Sequence, residues 1–255
     1  MTATSRPRLR TVSFAALDGG VWGAALDDGA RFITLGTPAG AGSVVGRESV
    51  GWSEENDRWR LAGDGFELLI TPADAPAEES EVVPAGDSDA GTSEHQLCHV
   101  RGRYTLGGAE YAVDCAGARA TRDRGAALHS FDSVRVISAL FEGDQGLTLL
   151  SCRPQGATDH QHDLLTAALC EKGSCLPVSD PRLSTTYTSS GLPARVSLEF
   201  WLGEGEGQYL RRAAGEALTP AAVLDAPGLE ARAAAFRWHS RGLEGRGVYL
   251  LARSR

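Results

Sequence analysis

Two histidines separated by one residue, in Asp159-His160-Gln161-His162-Asp163, are the most chemically suggestive spacing in the chain. Side chains alternate along a strand, so His160 and His162 would project from one face, as paired metal ligands do, with Asp159 and Asp163 available to complete or orient the site. No third strong ligand stands at a recognisable spacing, so no metal is expected, and an acid–base role for His162 or Asp163 is favoured. A second group, Glu110, Asp114 and Arg119, puts carboxylates near an arginine. Such a set forms a salt bridge by default; in an apolar surround that raises its pKa, Glu110 becomes a candidate proton donor. The faces of Trp22 and Trp238 are candidates for lining a ligand cavity or stabilising a cation, with Arg119 and His160 as polar contacts.

The absences narrow the field. The sequence holds no Gly-x-Ser-x-Gly elbow, phosphate loop, dinucleotide fingerprint or His-Glu-x-x-His helix, and Ser151-Cys152 has no paired base at a diagnostic distance. No cofactor is therefore expected. The formal charge of −8 is concentrated between Ala73 and Glu94, where seven acidic residues meet no basic one. The remainder is close to neutral, so nucleic acid is not an expected partner. No apolar run is long enough for a membrane-spanning helix, and no secretory leader follows Met1. Five cysteines at 98, 115, 152, 170 and 175, an odd number without a framework spacing, suit a reducing compartment, and a cytoplasmic location is expected. Cys170 and Cys175 flank Glu171-Lys172-Gly173-Ser174 and could face each other across a hairpin; two reduced thiols are the expectation.

The elements that must position these groups read as strands. Short apolar runs recur between Gly, Asp and Ser, among them Val21–Leu26, Arg31–Leu35, Phe66–Thr71, Val134–Phe141, Gly146–Cys152, Val196–Leu202 and Gly247–Ala252. Thr219-Pro220 predicts a short helix stopped by Pro227-Gly228. The two halves also match in order. The hairpin Val21–Leu26 with Phe32–Pro38 matches Val134–Phe141 with Leu147–Pro154. Trp59 then matches Trp201, marking both as core, and His99-Val100-Arg101-Gly102 matches His239-Ser240-Arg241-Gly242, each followed by a tyrosine strand at Tyr111 or Tyr249. Collinear matches indicate a duplicated β unit, with domains at 1–116, carrying the acidic loop 73–94, and 117–255. The offset grows from 116 residues at Pro38 and Pro154 to 142 at Trp59 and Trp201, which places an insertion of 26 residues around 155–180.

Several stretches resemble a known family. They are Gly102-Arg103-Tyr104-Thr105-Leu106-Gly107-Gly108-Ala109-Glu110-Tyr111, the arginine-rich Gly117–Gly125, the His162-Asp163 strand entry, and Gly191-Leu192-Pro193-Ala194-Arg195 running on to Trp201. Together they are similar to the two-domain lipocalin-like proteins, relatives of carotenoid 1,2-hydratases and tocopherol cyclases. The chain departs from that pattern at Asp123-Arg124-Gly125, so no catalytic role is carried over. The resemblance implies an all-β fold of two consecutive lipocalin-like antiparallel barrels or curved sheets. It also implies an apolar small molecule held inside one of them, with a cofactor-independent acid–base isomerase, hydratase or cyclase activity. A non-catalytic lipocalin-like binding or interaction protein is the alternative, since one scaffold serves both uses.

Overall fold

The computed structural model describes residues 8–28, 30–73, 76–80, 92–123, 128–158, 162–203, 207–218 and 220–254. A first sheet is built from β1 (Arg8–Ala15), β2 (Trp22–Asp27), β3 (Arg31–Thr37), β4 (Gly40–Val45), β5 (Gly51–Glu55), β6 (Arg58–Gly63), β7 (Phe66–Pro72), β8 (Ala77–Ser80), β9 (Thr92–Leu106) and β10 (Ala109–Asp123). After a 3-10 turn at Leu128–Ser130, the second sheet takes β11 (Phe131–Phe141), β12 (Gln145–Pro154), β13 (Leu164–Glu171), β14 (Ser174–Pro177) and β15 (Asp180–Tyr187). It continues with β16 (Pro193–Leu202), β17 (Tyr209–Ala217), β18 (Ala222–Ala226), β19 (Leu229–Ser240) and β20 (Leu243–Ser254).

The first sheet runs β4-β3-β2-β1-β10-β9-β7-β6-β5, with β8 on β9; the second runs β14-β13-β12-β11-β20-β19-β17-β16-β15, with β18 on β19. Adding ten to each strand of the first order gives the second, so the all-β duplication expected from sequence is present. The edge strands of each sheet do not pair with one another. Each half is therefore a curled, open half-barrel rather than a closed one.

Strand patterning shows where each face goes. In β6 and β7, Trp59, Leu61, Phe66, Leu68 and Ile70 are buried while Arg58, Arg60, Glu67 and Leu69 are exposed, the alternation of a sheet with one wet face. β2 and β12 are instead buried almost throughout, because they have a core on both sides. On the concave side of the first half lie Val12, Phe14, Ile33, Trp52, Trp59 and Tyr104. The second half encloses Ile137, Leu149, Leu198, Phe200, Phe236 and Trp238. A third apolar layer, including Trp22, Leu26, Phe32, Val134, Val136, Leu150 and Leu250, lies between the two sheets where they pack back to back.

Polar contacts cross that layer. Ser13 Oγ donates to Ser138 Oγ at 2.9 Å, and the Leu128 amide donates to the Asp28 carboxylate. His95 of β9, fully buried, reaches Thr166 Oγ1 at 2.9 Å and Thr148 Oγ1 at 3.4 Å in the second sheet. Burial lowers the His95 pKa to about 4, so the imidazole is neutral and joins the sheets as one donor and one acceptor.

The structure departs from the sequence reading in several places. The first hairpin match was one strand out of register: β2 and β3 correspond to β12 and β13, not to β11 and β12. A discrete 26-residue insertion therefore dissolves; part of the extra length is the connection 155–163, where the first half needs only 28–30, and part is longer strands. The expected domain limit at 116 and 117 falls within β10, which carries Gly117–Asp123 as strand, and the chain changes sheets after Asp123. The helix predicted after Thr219-Pro220 is strand β18, because its apolar residues pair with Ala231 and Ala233 of β19, and the described residues contain no α-helix. Cys170 and Cys175 are a disulfide, since the β13–β14 register sets them directly opposite. That bond removes the ground on which a reducing, cytoplasmic compartment was expected. Cys98, Cys115 and Cys152 are buried thiols outside that disulfide, and no helix of the described residues is long and apolar enough to cross a membrane.

Candidate functional site

Each half contains an aspartate held between two arginines on its concave side. In the first half Arg10 of β1 pairs with Asp27, and Arg31 Nε lies 3.2 Å from the same carboxylate. In the second, Asp163 takes Arg135 Nη1 of β11 at 2.7 Å and Arg153 Nε of β12 at 2.6 Å. Both braces take one arginine from the first strand of the sheet, Arg10 on β1 and Arg135 on β11, but they exchange the other places: the acid is on β2 and the second arginine on β3 in the first half, the arginine on β12 and the acid at the entry to β13 in the second. Their surroundings also differ. The Arg10 guanidinium is capped by the Trp52 ring at 5.1 Å, so the first brace is closed over by core. The second opens onto a cleft of about 430 Å3 along the unpaired seam between β13 and β15, lined among others by Arg135, Asp163, Leu165, Leu183, Thr185 and Tyr187. That size is within the range of small-molecule sites.

Arg135 is a deeply buried cation at this seam, its side chain 5% exposed. Nη1 donates to Asp163 and to Ser151 Oγ at 3.2 Å, whereas Nε–H is buried and has no acceptor. Beside it, Tyr187 Oη lies 3.0 Å from Tyr249 Oη, and Thr185 Oγ1 lies 3.4 Å from the same oxygen. Tyr249 is wholly enclosed behind these two. Burial is the main cause raising its pKa, with Tyr187 adding and Arg135 opposing, so it keeps its proton. Burial by itself would discharge Arg135, but Tyr249 and the bond to Asp163 outweigh it and raise its pKa. For Asp163, burial acts upward and is overcome by Arg153 and Arg135, so its pKa is lowered. The site is thus a fixed cation with a buried, unmet Nε–H, a protonated hydroxyl pair and an apolar wall of Leu165 and Leu183. It can bind and stabilise an oxygen that gains negative charge.

The residues singled out from sequence are scattered. Asp163 is at the cleft, but as an ionised clamp on Arg135 it has no proton to give. His162 is exposed at the entry to β13, and His160 and Asp159 lie outside the described residues. Glu110, 64% exposed on β10 and 3.7 Å from Arg103, sits in the other half, away from the cleft. Arg119 is 7% exposed and fully engaged. It donates to Gln96 Oε1 and to both the carbonyl and carboxylate of Asp57, with its guanidinium 4.8 Å from the Trp59 ring centre, latching the β5–β6 turn. Trp22 packs between the sheets against Gly36, where any Cβ would stand 2.2 Å from the indole. Trp238 is enclosed, its ring tilted against Phe236 with Gly215 and Gly247 making its room. Neither tryptophan is at the cleft. Trp59 is core as expected, whereas Trp201 is half-buried on the outer face of β16. Sequence reasoning missed Arg135, Tyr187 and Tyr249. Tyr249 had been noted only as a repeat marker, and an arginine inside the apolar run Val134–Phe141 was the available signal for Arg135. Among the described residues, no three His, Cys, Asp or Glu side chains come together as metal ligands.

This architecture, two consecutive curled antiparallel sheets of matching order, is that of the two-domain lipocalin-like proteins, as the resemblance in sequence implied. Solved structures agree. An AttH-like protein from Nitrosomonas europaea superposes with a TM-score of 0.64 at 14% identity, over 96% of this chain and 92% of that one. Kievitone hydratase from Nectria haematococca gives 0.59 at 10% identity, over 97% and 89%, and CghA in complex with Sch210972 gives 0.58 at 13%, over 97% and 88%. No protein-family model matches the chain, and no curated protein matches it significantly in sequence.

Proposed function

We propose that the second half binds an apolar small molecule carrying a conjugated carbonyl oxygen, and promotes without a cofactor a hydration, isomerisation or cyclisation that moves negative charge onto that oxygen. The carrying observation is the buried Arg135 Nε–H, which has no acceptor and stands at the floor of a cleft walled by Leu165 and Leu183. A buried donor left unmet costs about 1–3 kcal/mol, a cost that a ligand oxygen would remove on binding. Donors set in place before reaction favour the charged transition state over the neutral ground state. Arg135 would meet the oxygen directly, with the Tyr187 hydroxyl as second donor. Tyr249 and Asp163 act as positioning residues, the first orienting Tyr187, the second fixing the guanidinium. A hydratase among proteins of this fold supports the reading. With every carboxylate near the cleft committed to an arginine, a proton for a carbon centre would come from water or from the ligand itself.

The test uses benzylideneacetone, an apolar conjugated ketone whose absorption moves to longer wavelength when its carbonyl accepts a strong hydrogen bond. Saturable binding with a red shift is expected for the native protein, and an unshifted spectrum for Arg135→Met. A shift retained in that variant, or no saturable binding, refutes the proposal. Binding with the shift but without turnover of any conjugated ketone would favour the non-catalytic alternative.

A further inference from the structure

The second half-barrel has another mouth, at the opposite end of β11. Arg135 and Phe141 are six residues apart on that strand, or about 20 Å at the usual strand rise. The volume between them is filled by Ile137, Leu149, Phe236 and Trp238, so the two mouths do not communicate. A separate cavity of about 260 Å3 opens here, between the hairpin ends β11–β12, β13–β14 and β19–β20 and strand β17. Its floor is Phe141, Leu147 and Leu169, with Leu243 at the side.

The polar groups at this mouth follow a pattern. The inward-facing register of β12 reads Leu149, Leu147, then Gln145; that of β13 reads Ala167, Leu169, then Glu171; that of β17 reads Gly215, Ala213, then Arg211. In each strand the inward register turns polar as it reaches this mouth, with Tyr209 lying beyond Arg211 in β17, its ring 4.7 Å from the guanidinium, and Arg241 joins them from the β19–β20 turn. Arg211 Nε is buried and has no hydrogen-bond partner. Neither Arg211 nor Arg241 lies within salt-bridge distance of Glu171, although all three line one cavity. Elsewhere on the concave sides arginines are met by carboxylates, as Arg10, Arg31, Arg119, Arg135 and Arg153 are. At the corresponding end of the first half Phe66 is opposite Tyr104, whose hydroxyl donates to the Gly36 carbonyl at 2.6 Å, and the charged residues that line the cavity there, Glu67, Arg103 and Glu110, lie on the outer face, with Glu110 near Arg103 and Glu67 near Arg60.

Opposite charges held apart around an apolar floor suit a ligand that carries both charges and a greasy group. We infer that this mouth binds a free α-amino acid with a large apolar side chain. Its carboxylate is received by Arg211 and Arg241, its ammonium by Glu171 and Gln145, and its side chain by Phe141, Leu147 and Leu169. A simple fatty or aromatic acid would leave Glu171 facing a second negative charge, and an amine would leave the two arginines unmet; only the zwitterion satisfies both. The small volume admits one such molecule. This site is independent of the reading given for the Arg135 cleft.

Isothermal titration with L-phenylalanine tests it, alongside L-phenylalaninamide, which lacks the carboxylate, and 3-phenylpropionate, which lacks the ammonium. L-Phenylalanine is expected to bind with unit stoichiometry and each analogue at least tenfold more weakly. Arg211→Gln and Glu171→Gln are expected to weaken L-phenylalanine at least tenfold with unchanged circular dichroism, and saturating benzylideneacetone is expected to leave its affinity unaltered. No heat from L-phenylalanine at millimolar concentration, equal binding of 3-phenylpropionate, or competition with benzylideneacetone overturns the inference. Should a variant fail to fold, the ligand series on the native chain still decides.

Discussion

Lowering the pH from 7.5 to 5 should weaken the docking of the two sheets through one side chain. His95 lies wholly buried between Thr148 and Thr166, and its pKa in the folded chain is about 4 against an ordinary 6.5. The folded state therefore holds the neutral imidazole while the unfolded chain takes up a proton as the pH falls below 6.5. Since the unfolded state binds more protons between these values, stability is complete above about 6.5 and declines toward 4. The full interval corresponds to about 3 kcal/mol, and roughly 2 kcal/mol of it is gone by pH 5, where most exposed carboxylates are still ionised. Urea denaturation of the native protein and of His95→Gln at pH 7.5, 6 and 5 isolates the effect. The glutamine amide offers one donor and one acceptor to the same threonines but does not titrate, and the other five histidines are common to both chains. The native protein should lose about 2 kcal/mol more than the variant over this range. Parallel losses in the two chains would refute the account of the interface, because they would mean that His95 is reached by water or is protonated in place.

Other perturbations have equally definite outcomes. Asp163→Asn leaves Arg135 buried beside a neutral group and should cost about 3–5 kcal/mol in chemical denaturation; because the Asp163 pKa is lowered, the native pair should hold down to the ordinary carboxylate value and fail only below it. Tyr187→Phe removes the partner of the Tyr249 hydroxyl and should cost about 1 kcal/mol of stability while weakening benzylideneacetone, a loss confined to the ligand titration if Tyr249 turns to Thr185. Gly247→Ala would set a Cβ 1.9 Å from the Ser138 carbonyl and against the Trp238 indole, and should lower stability by about 3 kcal/mol or prevent folding, read from thermal melts. Reduction of Cys170–Cys175, which closes a short loop, should cost about 2 kcal/mol, measured with and without a thiol reductant.

Much of the fold was legible because its determinants are local. Alternating burial in β6, β7 and β16 and glycine-rich turns mark strands without reference to the rest of the chain. The duplication was legible in the ordered series of hairpins, but not at the paired histidines: His99 stands opposite Ala116 seven residues before the end of β9, whereas His239 stands opposite Glu244 beside the β19–β20 turn. The register error arose in strands buried on both faces, β2, β3, β11 and β12, whose continuous apolar runs carry no phase and can be slid by one strand at no apparent cost. The false helix had the same origin in reverse: Ala221-Ala222-Val223-Leu224 is short and apolar, and only pairing with β19 makes it extended.

The site was less legible because it depends on what is not filled. Arg10 and Arg135 occupy β1 and β11, each paired to an aspartate from a neighbouring connection or strand end, and nothing in the local sequence says that one will be capped by Trp52 and the other left facing a seam. A polar residue within an apolar run is a usable signal, but it reports burial and pairing alike. The difference between brace and site lies in what stands over it: Arg10 is covered by Trp52, whereas the buried Arg135 Nε–H, met by neither Asp163 nor Ser151, belongs to a residue that lines the cleft. Duplication helps here, because the first half fixes what the brace needs for stability. Whatever the second half adds, an open seam, a tyrosine pair and an unspent donor, is not required to hold the sheet together and is therefore where function is to be sought.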